Sequence, residues 1–158
     1  MKLIEHQSRQ WLFESSRNEK LLLASLLQLF PLVPPDHHRL SRNARLPGLA
    51  ENQRWLEESQ AAQQAENRRR IAAWLEQPGR FQPRGKVFRF ALDRPELEWF
   101  LQVLNDVRVG SWLACGSPDL ENLSQLPQNK IALMHLRRME LAGAFVSFFL
   151  AALEADAT

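Results

Sequence analysis

The sequence predicts a mainly α fold: a four-helix assembly with two short β-strands, in the order β-α-α-β-α-α. Three observations lead there. Two complete helix-start signals occur, Ser16-Arg17-Asn18-Glu19 and Asp93-Arg94-Pro95-Glu96, each with a capping residue followed by Glu at N3. Apolar residues recur at helical spacing after both. Each signal is preceded by a short run rich in aromatic and aliphatic residues, at 9–14 and 86–92, whose length suits a strand.

The elements follow in order. Arg9-Gln-Trp-Leu-Phe-Glu14 reads as the first strand. The first helix starts at Ser16 and ends near Phe30, because Pro31, Pro34 and Pro35 break it. Leu22, Leu26, Leu29 and Phe30 are its expected inward face, widened by Leu23 and Leu27. Residues 34–48, with Pro34-Pro35, His37-His38 and Leu46-Pro47-Gly48, read as a Pro-rich loop. A long helix over Leu49–Glu76 has apolar ends (Trp55 and Leu56; Ile71, Trp74 and Leu75). Its middle has only Ala61, Ala62 and Ala65, so it is either solvated there, packed closely through the alanines, or split in two. Residues 80–86 read as a basic turn, and Lys86–Leu92 as the second strand. The helix from Arg94 to Ala114 carries the stripe Leu97, Phe100, Leu101, Leu104, Val107 and Leu113, and Gly116-Ser117-Pro118 closes it. A loop or helical turn at 119–125 leads to a last helix over 128–153. No internal repeat or low-complexity tract stands out.

The chain has 158 residues, which suits a single helical domain over 1–158. The single cysteine, Cys115, excludes an intramolecular disulfide framework and a Cys-cluster metal site. The six glycines form no phosphate-binding loop. No segment reaches the roughly 20 apolar residues of a membrane span, and the first ten residues lack the apolar region of a signal peptide. The expectation is a cytoplasmic protein with a reduced thiol, no membrane partner, no metal and no cofactor. Charge is unevenly spread: residues 1–92 carry a net +6 and residues 93–158 a net −4. Such a split marks a nucleic-acid face or a partner's docking face, or is the ordinary pattern of a folded surface.

Four groups of residues could carry function. Asn105, Asp106 and Arg108 are polar positions inside an apolar helix. Asn105 and Arg108 share a face, as do Arg108 and Trp112, four apart. Asp106 lies about 200° around the helix from Arg108, so the two cannot pair. They suit a polar ligand pocket, or bridges to neighbouring elements, which is the commoner use. Arg68, Arg69 and Arg70, with Arg80, Arg84, Lys86 and Arg89, are interleaved with Phe81, Phe88 and Phe90, the composition of a single-strand stacking platform. Nearby glutamates, Glu66 four before Arg70 among them, point instead to helix-surface pairing. Phe145, Phe148, Phe149 and Ala152 belong to a last helix apolar nearly all round, which is either central to the core or a self-association face. Cys115 and His135 form a nucleophile–base pair only on paper, because no third group is evident to orient them.

Leu104-Asn105-Asp106-Val107-Arg108 resembles the "LNDxR" helix signature of a bacterial domain-of-unknown-function family. Trp55-Leu56-Glu57-Glu58 is similar to its "LLEE"-like helix. The resemblance implies a mostly helical fold opened by a strand and a Leu-rich helix. In actinobacterial members the gene often neighbours that of the Clp-protease adaptor. The family's Leu-Gly-x-Arg-Leu-like continuation is not matched: Gly110-Ser111-Trp112-Leu113 lacks the arginine. The family brings no established activity. The resulting expectation is a non-enzymatic helical interaction or regulatory module, with a protein partner or a second copy bound through the last helix. Nucleic-acid binding through the arginine-rich segment, and a ligand pocket or active site at Asn105, Asp106 and Arg108, are the alternatives.

Overall fold

The computed structural model describes residues 1–7, 10–34, 49–118 and 129–155. Among them are four helices and a four-stranded antiparallel sheet. The elements are β1 (Lys2–Gln7), β2 (Gln10–Ser16), α1 (Arg17–Gln28), α2 (Leu49–Glu76), β3 (Gln82–Arg84), β4 (Val87–Asp93), α3 (Arg94–Ala114) and α4 (Lys130–Glu154). The order is therefore β-β-α-α-β-β-α-α, and the expected two strands become four. The additional strands are the sheet's edges. Neither buries an alternating face: β1 reads Lys-Leu-Ile-Glu-His-Gln, and β3 is only Gln82-Pro83-Arg84. They are held by pairing with β2 and β4, a tertiary cause that hydrophobic periodicity does not register. The Pro-rich loop at 34–48 and the turn at 119–125 lie outside the described residues, apart from Pro34.

The sheet order β1-β2-β4-β3 places the two central strands side by side, with Phe13 opposite Phe90. Gln10 pairs with Asp93 and Ser16 with Val87, so the register is symmetric about the Phe13–Phe90 pair. The symmetry extends outward. Gln7 pairs with Gln10 and Glu5 with Leu12 in the first hairpin, and the equivalent Arg84 pairs with Val87 and Gln82 with Arg89 in the second. Each central strand leads directly into a helix with a capping box. Ser16 and Glu19 cap α1, and Asp93 and Glu96 cap α3. The buried positions Leu23, Leu26, Leu27 and Phe30 correspond one by one to Phe100, Val103, Leu104 and Val107. The chain thus contains two ββα units related by a local two-fold axis. The expectation of no repeat is corrected: the two units share capping geometry and burial spacing while differing at most residues. Of the expected inward face of α1, Leu23, Leu26, Leu27 and Phe30 are buried and Leu29 is half-buried, whereas Leu22 is exposed.

One sheet face carries the core. Phe13 packs its ring against Phe90 at 5.4 Å, Phe149 at 5.3 Å and Phe148 at 5.7 Å. Trp74, near the end of α2, meets Phe100 at 4.7 Å and Phe81 at 5.5 Å. These separations are those of favourable edge-to-face and tilted ring pairs. Helix α4 lies against α3. Its far end is fixed to the sheet by the Trp11 indole, which donates to the Ala152 carbonyl at 3.0 Å. The other sheet face carries a charge ladder. The Glu14 carboxylate accepts from Lys2 at 2.9 Å and Arg89 at 3.0 Å, and these two cations hold it below the usual carboxylate range.

Helix α2 is one continuous helix, not two. Ile71 and Trp74 are buried and Leu75 half-buried, whereas Ala61, Ala62 and Ala65 are exposed and Trp55 is 66% exposed. Of the expected alternatives for its middle, solvation is the one found. If the two ββα units are energetically equivalent, Ser16→Ala and Asp93→Ala should each cost about 0.5–2 kcal/mol. Phe13→Ala and Phe90→Ala should each cost roughly 3–5 kcal/mol. Urea unfolding of the four variants checks both statements.

Candidate functional site

The segment Leu104–Trp112 divides between two sides of α3. Its inward polar group is Asp106. After α1 the chain turns and runs over α3 as a short strap, Pro31–Val33. Asp106 Oδ1 accepts from the Leu32 N–H at 2.7 Å and the Val33 N–H at 3.4 Å. Gly110, one turn on, is where the strap touches the helix. A Cβ there would lie 2.3 Å from Leu32 Cβ and 2.6 Å from its carbonyl carbon. From the other side, Gln64 Nε2 of α2 donates to the Val33 carbonyl at 3.0 Å. Asp106 and Gly110 thus seat backbone, and the strap fills the space between α2 and α3. Burial pushes the Asp106 carboxyl above its usual value, partly offset by the two strap N–H groups.

Arg108 emerges on the opposite side, as the helical spacing requires. The structure does not bring Asn105, Asp106 and Arg108 together around one cavity. Asn105 and Arg108 are exposed on one strip of α3, followed by half-buried Val109 and Trp112. With Met139 of α4, Arg108, Val109 and Trp112 line a cleft of about 240 Å³. Gly143 of α4 lies beneath the arginine: a Cβ there would sit 3.8 Å from Arg108 Cδ and Nε. The Trp112 indole donates to the Pro118 carbonyl at 3.1 Å, which fixes the ring at the end of the cleft. The Arg108–Trp112 spacing is legible in sequence. The Met139 and Gly143 wall is not, because it depends on how α4 packs on α3.

Cys115 and His135 do reach the same helix pair. The Cys115 thiol donates to the Ala132 carbonyl at 3.4 Å, not to His135, and burial pushes its pKa up. That is the reverse of what an activated nucleophile needs. His135 Nδ1 and the fully buried Ser111 hydroxyl have no partner among the described residues. No cluster of three potential metal ligands occurs among the described residues.

The arginine-rich segment is largely engaged within the chain. Arg70 stacks over the Trp99 ring at 4.1 Å, while the Trp99 indole donates to Asn67 at 3.1 Å. Arg69 pairs with Glu66 at 3.3 Å, replacing the expected Glu66–Arg70 pair. Arg80 lies over Trp74 and bonds Glu96 at 3.1 Å, and Arg89 is on Glu14. The interleaved rings are occupied too. Phe90 is in the core, and Lys20 sits over both Phe81 and Phe88, at 4.9 and 4.3 Å. Arg68, Arg84 and Lys86 remain exposed.

The expected association face of α4 is turned inward. Phe145, Phe149 and Ala152 are buried and Phe148 is half-buried against the core. These residues pack one face of α4 against the core. Its other side is exposed along the helix: Ile131 is 69% exposed, Leu133 41% and Met134 40% in the first turns, and Leu141 37% and Leu150 43% further on. No helix among the described residues is long and apolar enough to cross a membrane. Comparison with family models, curated proteins and solved structures finds no match.

Asp106→Ala should cost about 1–3 kcal/mol, because it leaves two partly buried N–H groups unpaired. Gly110→Ala should cost about 1–3 kcal/mol by forcing the strap off α3. The pH dependence has a fixed sign. A folded-state pKa raised above 3.8 gives a stabilising contribution that is complete below 3.8 and lost as pH rises through the raised value. Asp106→Asn should therefore gain on the wild type across that interval. Urea unfolding of both proteins from pH 3 to 7 measures the difference, and a flat difference would refute the assignment.

Proposed function

We propose that this chain is a protein-interaction module rather than an enzyme, and that its docking face is the first half of α4. The observation that carries the reading is the clustering there of exposed Ile131, Leu133 and Met134 with Lys130 and Arg137. Scattered apolar side chains on a surface need no explanation, but three within four residues, edged by cations, form a patch suited to a partner helix. In the second half of α4 Phe145, Phe149 and Ala152 are buried and the exposed Leu141 and Leu150 stand nine residues apart, so a partner or second copy meets the denser group in the first half.

The paired substitution Ile131→Glu/Met134→Glu tests this. Both sites are exposed, so stability should change by no more than about 0.5 kcal/mol each. A partner or second copy captured by the wild type after nuclease treatment should be lost by the variant. Capture from lysate read by mass spectrometry, with solution mass by light scattering, gives the answer. Recovery only of nuclease-sensitive material would overturn the reading and bring Arg68, Arg84 and Lys86 forward.

A further inference from the structure

We infer that the cleft between α3 and α4 at Arg108 binds the C-terminal residue of a partner polypeptide, with its free carboxylate on Arg108 and its apolar side chain on Trp112, Val109 and Met139. This rests on the interaction-module reading and deepens it by naming a segment of the partner.

Charge sets the first requirement. Arg108 is exposed and forms no ion pair among the described residues, whereas Arg54, Arg69, Arg80, Arg89 and Arg94 each pair with a glutamate. Its neighbour Asp106 is committed to the strap on the other side of the helix. A guanidinium in this state presents a planar fork of donors suited to a carboxylate. Gly143 keeps the opposing wall low, so the fork is not covered by a side chain from α4.

Shape sets the second. The remaining walls, Val109, Trp112 and Met139, are apolar or aromatic. Trp112 lies one helical turn from Arg108, roughly 5–6 Å between Cβ atoms. The ligand must therefore carry a carboxylate and an apolar group at that separation. A chain-terminal Leu or Phe has both on one residue. An internal Asp or Glu has the charge at the tip of its only side chain and needs a second residue to fill the apolar wall, more than a cleft of this size takes. Size sets the third. At about 240 Å³ the cleft is smaller than the roughly 300–1,000 Å³ of pockets that enclose whole small molecules, so it suits one residue of a chain. Asn105, exposed one turn before Arg108, is placed to meet the preceding backbone.

The probe is acetyl-Ala-Ala-Leu-Phe, synthesised with a free C-terminus and as the C-terminal amide. Binding to the full chain is followed by the indole resonances in two-dimensional NMR, with the Trp112 signal assigned by Trp112→Phe. The free acid should shift that signal and bind at least about tenfold tighter than the amide, the range expected for hydrogen bonds to a charged group. Arg108→Gln should abolish the preference. Gly143→Leu should block both peptides while leaving the fold intact, because leucine is a better helix former than glycine and its Cβ meets the arginine at ordinary contact distance. The Ile131→Glu/Met134→Glu variant should still bind the free acid, which separates this cleft from the α4 face. Equal binding of acid and amide, an unchanged preference in Arg108→Gln, or no shift of Trp112 at millimolar peptide would each overturn the inference.

Discussion

Phe13 stands opposite Phe90 at the centre of the sheet, and both rings are buried, Phe13 against Phe148 and Phe149 of α4 and Phe90 against Trp74 of α2. The β2–β4 pairing that sets them there is the constraint on which the other elements rest. It joins strands far apart in sequence, so it carries a large loop-closure cost. It recovers that cost by bringing two preformed ββα units into one layer. Their helices α1 and α3 start from equivalent capped positions, and their inward stripes then cover the same sheet face. Helix α4 docks on this layer through Phe149, which lies within ring-contact distance of Phe13 and Phe100 at once.

The two units differ where function is best sought. Helix α1 ends at Gln28, and its chain turns into the strap. The equivalent helix α3 runs on to Ala114. That extra length of α3 holds Asp106 and Gly110, which receive the strap, and Arg108 and Trp112, which face the cleft. One extension therefore serves two purposes on opposite sides. This division accounts for a polar Asn-Asp-x-Arg segment in a helix otherwise built for a core: Asp106 satisfies backbone N–H groups, and Arg108 lies exposed on the opposite side.

Much of the fold was legible. The bounds of α3 follow from the Asp93–Glu96 capping box, Pro95 and Gly116, and the end of α2 from Gln77-Pro78-Gly79, all local signals with local causes. The central strands were legible for the same reason. The edge strands were not, because Lys2–Gln7 and Gln82–Arg84 owe their conformation to neighbours. The two-fold relation escapes the sequence because it resides in register and burial, with only Phe13/Phe90, Arg17/Arg94, Glu19/Glu96 and Leu27/Leu104 identical in the segments 10–30 and 87–107. Of the candidate sites, the 200° separation of Asp106 from Arg108 was readable and holds. The arginine-rich run was read as one patch, yet Trp99, Trp74 and Glu14 disperse it. Trp99 and Glu14 come from other elements and leave no mark near Arg68–Arg89, and Trp74, which lies within the run, reads there only as an apolar helix end. The phenyl rings of α4 were ambiguous between core and interface, and only the packing against β2 and α3 decides for the core.

Native-state hydrogen exchange under increasing denaturant reads the hierarchy directly, since it gives an opening free energy for each amide. If the β2–β4 pair is the common support, the amides of Leu12–Glu14 and Arg89–Ala91 should exchange only through global unfolding, at one shared free energy. Those of the solvated half of α2, residues 50–63, should open well below it. Separate opening energies for β2 and β4, or protection of that half of α2 equal to the sheet's, would contradict the two-unit assembly.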